Sequence, residues 1–335
     1  MAENRVGQQT IVFRNPPRII SSFATVGPDE GKGPLAQYFN DILEDPMLGQ
    51  KTAEKAELKM LESTIEQTLA QAKLKKEEIH YYISGDLLNQ IISSSFSART
   101  LGVPFIGIYG ACSSYAEGLG LGSVLIDGSY ADKVLVATTS HYQTAERQFR
   151  YPIELNIQRK TSNQVTVTGA GVSILANAGD GIKVTHATFG KVIDMGLKDV
   201  NDMGSAMAPA AVDTLVQHLQ DTNRSVADYD LILTGDLASQ GKKMFGLLAK
   251  EKGISLGNKH QDAGDLIFSP QQDVGAGASG CACAAVVTIG YVMKEMYQGR
   301  FRRVLLIATG ALMNALTFQQ GESIPGIGHA IVLEV

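Results

Sequence analysis

Apolar residues recur three and four positions apart from Ala53 to Leu74, with Leu58, Leu61, Ile65 and Leu69 on one stripe, a spacing that predicts a helix. Ile79 to Ser84 is a short apolar run closed by Gly85 and predicts a strand. Asn89 to Leu101 predicts a second helix, Phe105 to Tyr109 a second buried strand, Ser113 to Ile126 a third helix and Val134 to Thr138 a third strand. Strands alternating with helices in this way imply a parallel sheet with helices on its faces, the α/β class. Residues 1–50, broken by Pro16-Pro17, Gly27-Pro28 and Gly33-Pro34, are expected to be irregular. His141 to Thr168 follows the C-terminal end of a strand, where ligand sites form in open α/β sheets, and reads as a long functional loop.

This pattern is written twice. Glu78 to Leu87 reappears as Tyr229 to Leu237, with Gly85-Asp86-Leu87 falling on Gly235-Asp236-Leu237 at an offset of 150 residues. The helical stripe keeps that offset, landing on Ala208, Ala211, Leu215 and Leu219. Lys133-Val134-Leu135-Val136-Ala137-Thr138 recurs as Arg303 to Thr309, and Gly169-Ala170-Gly171-Val172 as Gly326-Ile327-Gly328-His329. The chain therefore divides into two duplicated α/β halves, 1–178 and 179–335, with the irregular N-terminus and the 141–168 segment in the first.

Composition narrows the function. A chain of 335 residues with 44% hydrophobic and 19% charged residues buries a large core. A net charge of −5 argues against a nucleic-acid surface, and the basic run Lys73 to Lys76 is offset at once by Glu77 and Glu78. Three cysteines suit a reducing compartment better than a disulfide framework. No signal-peptide pattern opens the chain, and its longest apolar stretch, Ala284 to Val292, is far below the ~20 residues of a membrane span. A soluble chain is expected, reaching any membrane through a partner.

Only one copy carries a cysteine where a nucleophile would sit, Gly110-Ala111-Cys112-Ser113-Ser114 facing Gly277-Ala278-Ser279-Gly280-Cys281. A helix start favours thiolate over thiol and offers free N–H groups to an anion, so Cys112 is the candidate nucleophile or pocket wall. A buried small residue is the plainer alternative. Cys281 and Cys283 have no second Cys/His pair at zinc-ligand spacing and read as packing residues, so no metal is expected. A thiolate needs a proton partner, usually histidine. His141, ending a strand, and His329, in a Gly-Ile-Gly-His turn where the first copy has Val172, are the two candidates. Arg147 and Arg150 could grip a carboxylate bidentately or form ion pairs with Glu146 and Glu154. Asp86 and Asp236 follow matching strands; both could cap helices, and Asp86 could instead accept a proton from a ligand. Ser140, beside His141, and Ser279 complete the candidate ligand set.

A duplicated α/β half with one specialised cysteine resembles the thiolase and ketoacyl-synthase superfamily, in which two mixed sheets sandwich helices. More closely, the chain resembles the stage V sporulation protein AD family of spore-forming Firmicutes. The resemblance is carried by Gly85-Asp86-Leu87-Leu88-Asn89-Gln90, Gly110-Ala111-Cys112-Ser113 and Ala145-Glu146-Arg147-Gln148-Phe149-Arg150-Tyr151-Pro152. It continues through Asp202-Met203-Gly204-Ser205-Ala206-Met207, Ser279-Gly280-Cys281-Ala282-Cys283 and Glu322-Ser323-Ile324-Pro325. It implies binding of dipicolinic acid (pyridine-2,6-dicarboxylate), free or as its calcium chelate. It also implies action with other SpoVA proteins at the spore inner membrane, in uptake during sporulation and release at germination, no cofactor, and pairing into a homodimer. Type III ketoacyl synthases carry a catalytic histidine where this chain has Leu233-Thr234-Gly235-Asp236-Leu237, and a catalytic asparagine where it has Gly277-Ala278-Ser279-Gly280. Decarboxylative condensation needs those donors. The expectation is a non-catalytic binding protein; the competing readings are an acyltransferase or ketoacyl synthase using Cys112, and a scaffold with a vestigial pocket.

Overall fold

The computed structural model describes residues 3–149, 158 and 160–335. The first half contains five long-range strands: β1 (Arg18–Val26), β2 (Tyr81–Gly85), β3 (Phe105–Gly107), β4 (Lys133–Ser140) and β5 (Gly169–Ala176). The second half repeats them as β6 (Ile182–Phe189), β7 (Leu231–Thr234), β8 (His260–Asp262), β9 (Arg303–Ala311) and β10 (Gly326–Glu334). In each half the spatial order is third, second, fourth, fifth, first, with the middle three strands parallel and the fifth antiparallel to its neighbours. β1 and β6 touch at Ile19–Ile182 and Arg18–Lys183, which joins the halves into one mixed sheet.

The helices are α1 (Ala53–Ala72), α2 (Ile92–Leu101), α3 (Ser114–Asp127), α4 (Tyr142–Phe149), α5 (Met203–Thr222), α6 (Ala238–Glu251) and α7 (Cys281–Val287). The repeat extends to their ends. Thr52 caps α1 by accepting the Lys55 N–H, and Asp202, 150 residues on, caps α5 through the Ser205 N–H. Both helices stop at a left-handed residue, Lys73 and Asn223. α1 buries Met60, Leu61 and Ile65 against Tyr82, Leu135 and Val172 on the outer face of the first half. α5 buries Met207, Ala211 and Leu215 against Ile232, Leu305 and Val332 of the second. Each buried methionine, leucine or isoleucine among them contributes roughly 1.5–3 kcal/mol.

α3 lies between the halves. Gly118 sits against Val136 and Gly120 against Phe189 and Ala187, so side chains of both sheets close on the same helix. α7 lies beside it, Ala285 meeting Gly171. The result is five layers, helix, sheet, helix, sheet, helix, with the starts of the two central helices buried face to face.

Three sequence expectations change. The supposedly irregular N-terminus contains β1, an interior strand whose Ser21 and Ser22 dilute its apolar signal. Phe105 to Tyr109 is not a buried strand: β3 is shorter and half-exposed because it lies at the sheet edge. The 141–168 segment is not simply a loop. It holds α4 and the strand Gln164–Thr166, which pairs in parallel with Gly277–Ser279 across the two halves.

Candidate functional site

Cys112 sits in a single tight turn, Ala111–Ser113, that runs directly into α3. Ala111 adopts a φ of 48°, a left-handed conformation that costs an alanine about 1–2 kcal/mol. Surroundings must hold it there. Gly310 of β9 is one such surrounding: a Cβ at that position would lie 2.3 Å from the Gly110 carbonyl and 3.2 Å from the Cys112 nitrogen. The partner helix start is fitted similarly, Gly280 taking a φ of 115° before Cys281. Cys281 donates through Sγ to the Ala111 carbonyl at 2.9 Å, and Cys283 to the Gly235 carbonyl at 3.5 Å. Both are buried packing residues.

The charged neighbour that acts most on the Cys112 thiol is the buried carboxyl of Asp236. Asp236 accepts from Thr309 Oγ1 at 2.6 Å and from the Gly280 N–H at 3.1 Å. Burial pushes this carboxyl up to about 7. Burial, then the negative charge of Asp236 and the neighbouring Cys281, raise the Cys112 thiol well above its ordinary range, and the Gly280 N–H opposes them only in part. A helix start helps a thiolate, but complete desolvation beside a carboxyl outweighs it.

Asp236 is free to face Cys112 because another residue caps its helix. Asp262 accepts from the Leu237 and Ala238 N–H groups at 3.0 and 2.8 Å, and from Thr234 Oγ1 at 2.6 Å. The first-half counterpart, Asp86, has no such relief. It accepts from the Leu88 N–H at 2.9 Å and from the Ser94 N–H and Oγ at 2.8 and 2.7 Å, a helix cap with its lone pairs committed. Asp236 was visible in the sequence as the twin of Asp86, standing where a condensing enzyme has histidine. Only the structure separates the two roles.

The other predicted residues scatter. Ser279 lines the Cys112 cavity. Ser140 donates to the Val167 carbonyl at 2.7 Å and accepts from the Ala282 N–H at 3.2 Å, a structural clasp. His329 lies within β10 rather than a turn; its Nδ1 takes the Gly190 N–H at 3.2 Å and its ring stacks edge-on with Phe189. Burial drops its pKa to about 4, leaving a neutral ring whose contacts are on β6. His141 bonds the Pro46 carbonyl through Nε2 and lines a different cleft; burial lowers its pKa also. Arg147 pairs with Glu54 at 3.2 Å on the half-exposed side of α4, away from Cys112. Arg150 lies outside the described residues.

The cavity at Cys112 is small, about 30 Å³, and walled by Leu87, Ala145, Phe149, Met203 and Met313 among others. That is the space of one water molecule. Across Thr166, which lines both, opens a cleft of about 560 Å³ bounded by Glu30, Lys32, His141, Gln143, Phe268 and Asp273. Its rim carries Asp273 and Asp29, the latter paired with Lys32 at 2.9 Å, and burial lifts the pKa of Glu30 in its wall to about 7. Among the described residues no cluster of three or more His, Cys, Asp or Glu side chains could hold a metal ion. The site as a whole offers a neutral thiol, a proton-sharing carboxyl and a ligand-sized cleft beside them.

Comparison with known proteins agrees with this architecture. The sequence model of the family described as Stage V sporulation protein AD matches residues 7–334. The Stage V sporulation protein AD of Bacillus subtilis (strain 168) is 44% identical over 328 residues, covering 98% of this chain and 97% of that protein. Among solved structures, 3-oxoacyl-[acyl-carrier-protein] synthase III from Aquifex aeolicus superposes with a TM-score of 0.59 at 13% identity, covering 95% of this chain and 100% of that one. Cerulenin-bound OleA from Xanthomonas campestris gives 0.57 at 14% identity, covering 98% and 100%. These structural likenesses establish the thiolase-like fold.

Proposed function

Because the chain belongs to the stage V sporulation protein AD family, we propose that it serves sporulation as a non-catalytic binding protein for dipicolinic acid, taken as its calcium chelate. One observation carries the non-catalytic part: the partner of Cys112 is the buried carboxyl of Asp236. A condensing site needs a thiolate and donors aimed at a developing oxyanion. Here the neighbouring group raises the thiol and, once ionised, donates nothing.

The ligand belongs in the cleft beside His141, because about 560 Å³ accommodates a pyridine dicarboxylate and about 30 Å³ does not. Lys32 and Gln143 supply donors for carboxylates, and Phe268 an aromatic wall. Asp29 and Asp273 on the cleft rim favour a ligand bearing calcium over a bare dianion. Supporting a paired protomer, the β3 edge is flanked by Ile92, Phe96 and Tyr109, which are 38–44% exposed. This reading puts the protein at the spore inner membrane with other SpoVA proteins; among the described residues no helix is long and apolar enough to cross it.

Calorimetry with dipicolinate, with and without calcium, tests the reading. Binding should need calcium, and Lys32→Ala and Asp273→Asn should each weaken it about tenfold. Absence of heat under both conditions would refute it. Mass spectrometry after exposure to acetyl-CoA and malonyl-CoA should show no acyl-Cys112 that turns over.

A further inference from the structure

Helix α6 is pinned by its inner face. Gly241 meets Gly204 of α5 so closely that a Cβ there would lie 2.5 Å from backbone, and Phe245 and Ala249 are fully buried. The opposite face is therefore rigidly presented. It carries Gln240, Lys243, Met244, Leu247, Lys250 and a single acid, Glu251, at helical spacing, with Lys252 just past the helix end. Leu247 is 60% exposed and Met244 37%, two large apolar side chains on the crest of a solvent-facing helix.

Lysines surround that crest. Lys242 is engaged by Asp265 at 2.7 Å toward the protein. Among the described residues, Lys243, Lys250 and Lys252 make no ion pair. Four lysines stand against one glutamate between Ala238 and Lys252, on a chain whose net charge is −5. The positive charge is thus concentrated where apolar side chains are also exposed.

We propose that this face of α6 contacts an anionic phospholipid bilayer directly, Leu247 and Met244 entering the headgroup region while Lys243, Lys250 and Lys252 meet lipid phosphates. Charge complementarity chooses the partner, since exposed basic and apolar groups on one helix face satisfy both parts of such a surface. Shape agrees. The clefts at His141, Tyr130, Gln90 and Cys112 are lined by other elements, and an exposed helix crest suits a fluid plane better than a protein hot spot, which needs a packed pocket. With two apolar anchors and a few lysines the contact is weak and reversible. The inference is independent of dipicolinate.

Co-sedimentation of the full chain with vesicles of phosphatidylcholine alone, or with phosphatidylglycerol added, tests it. Binding should require phosphatidylglycerol and be released at high salt, where the screening length falls from ~10 Å at 0.1 M to ~3 Å at 1 M. Lys243→Glu/Lys250→Glu should lower binding at least about tenfold, and Leu247→Gln should lower it less. Thermal melting verifies the fold of these surface variants. No vesicle binding, binding equal on both lipids, or unchanged binding by the double variant would each overturn the proposal; the first would leave the face to an acidic protein.

Discussion

The two halves place the same residue at the same point and use it differently. Asp86 and Asp236 both follow the second strand of their half, yet one is a cap and the other faces a thiol. The difference originates one strand away. Ser84 of β2 pairs in register with Gly107 of β3, whereas Thr234 of β7 pairs with Asp262 of β8. An acid at the end of the third strand takes over the capping of the following helix. A glycine there cannot. Duplication therefore supplied two copies of an aspartate, and a neighbouring substitution decided which one could be turned toward Cys112.

The largest expected contrast between the halves is their response to acid. In the second half burial depresses His186, His260 and His329 to about 4 and His218 to about 3, below the ordinary 6.5. A depressed histidine gives its full stability above the unfolded pKa and loses it as pH falls toward the folded value. Raised carboxyls have the opposite sign, favouring the fold as pH falls. Glu57, Asp86 and Glu30 act so in the first half, against His141 alone. Asp236 and Asp262 offset only part of the second half's four histidines. Hydrogen exchange at pH 4.5 should show the second half opening first, by a few kcal/mol relative to pH 7. Uniform opening would break the contrast.

Next in size are the caps. Asp86→Ala and Asp262→Ala each strand buried N–H groups and should cost about 2–4 kcal/mol in denaturant unfolding. Asp236→Asn should cost less than about 1 kcal/mol, since it also removes an unfavourable buried charge. If it costs as much as Asp86→Ala, Asp236 is a cap like its twin. Smallest is Arg147→Ala. Its pair with Glu54 is half-exposed and worth no more than about 0.5 kcal/mol. Dipicolinate affinity should be unchanged by it; a tenfold loss would restore Arg147 to the ligand site.

Much of the fold could be read from the chain because the repeat reaches from helix caps to strand ends, at the same offset in Thr52/Asp202 and Lys73/Asn223. β1 is hard to read because interior strands with serines do not look apolar, and α4 because a helix of eight residues with four charged or amide positions reads as loop. The site was less legible. Cys112 is found by its motif, but the partners of a buried thiol come from distant segments whose approach no local pattern records. Histidines attracted attention by type, and burial has made them neutral scaffold. An aspartate beside a cysteine is not a familiar pair, so the sequence shows Asp236 only as the twin of Asp86.

Burial, reinforced by Asp236, holds Cys112 as a neutral thiol. Iodoacetamide labelling of Cys112, read by peptide mass spectrometry across pH in the parent chain and in Asp236→Asn, tests it most directly. The parent should label slowly at pH 7 and accelerate only well above the ordinary thiol range. Asp236→Asn, with the opposing charge gone and the burial unchanged, should label faster at pH 7 to 9. Rapid labelling of the parent at pH 7, with no change in Asp236→Asn, would contradict the account and return Cys112 to the reactive thiolates.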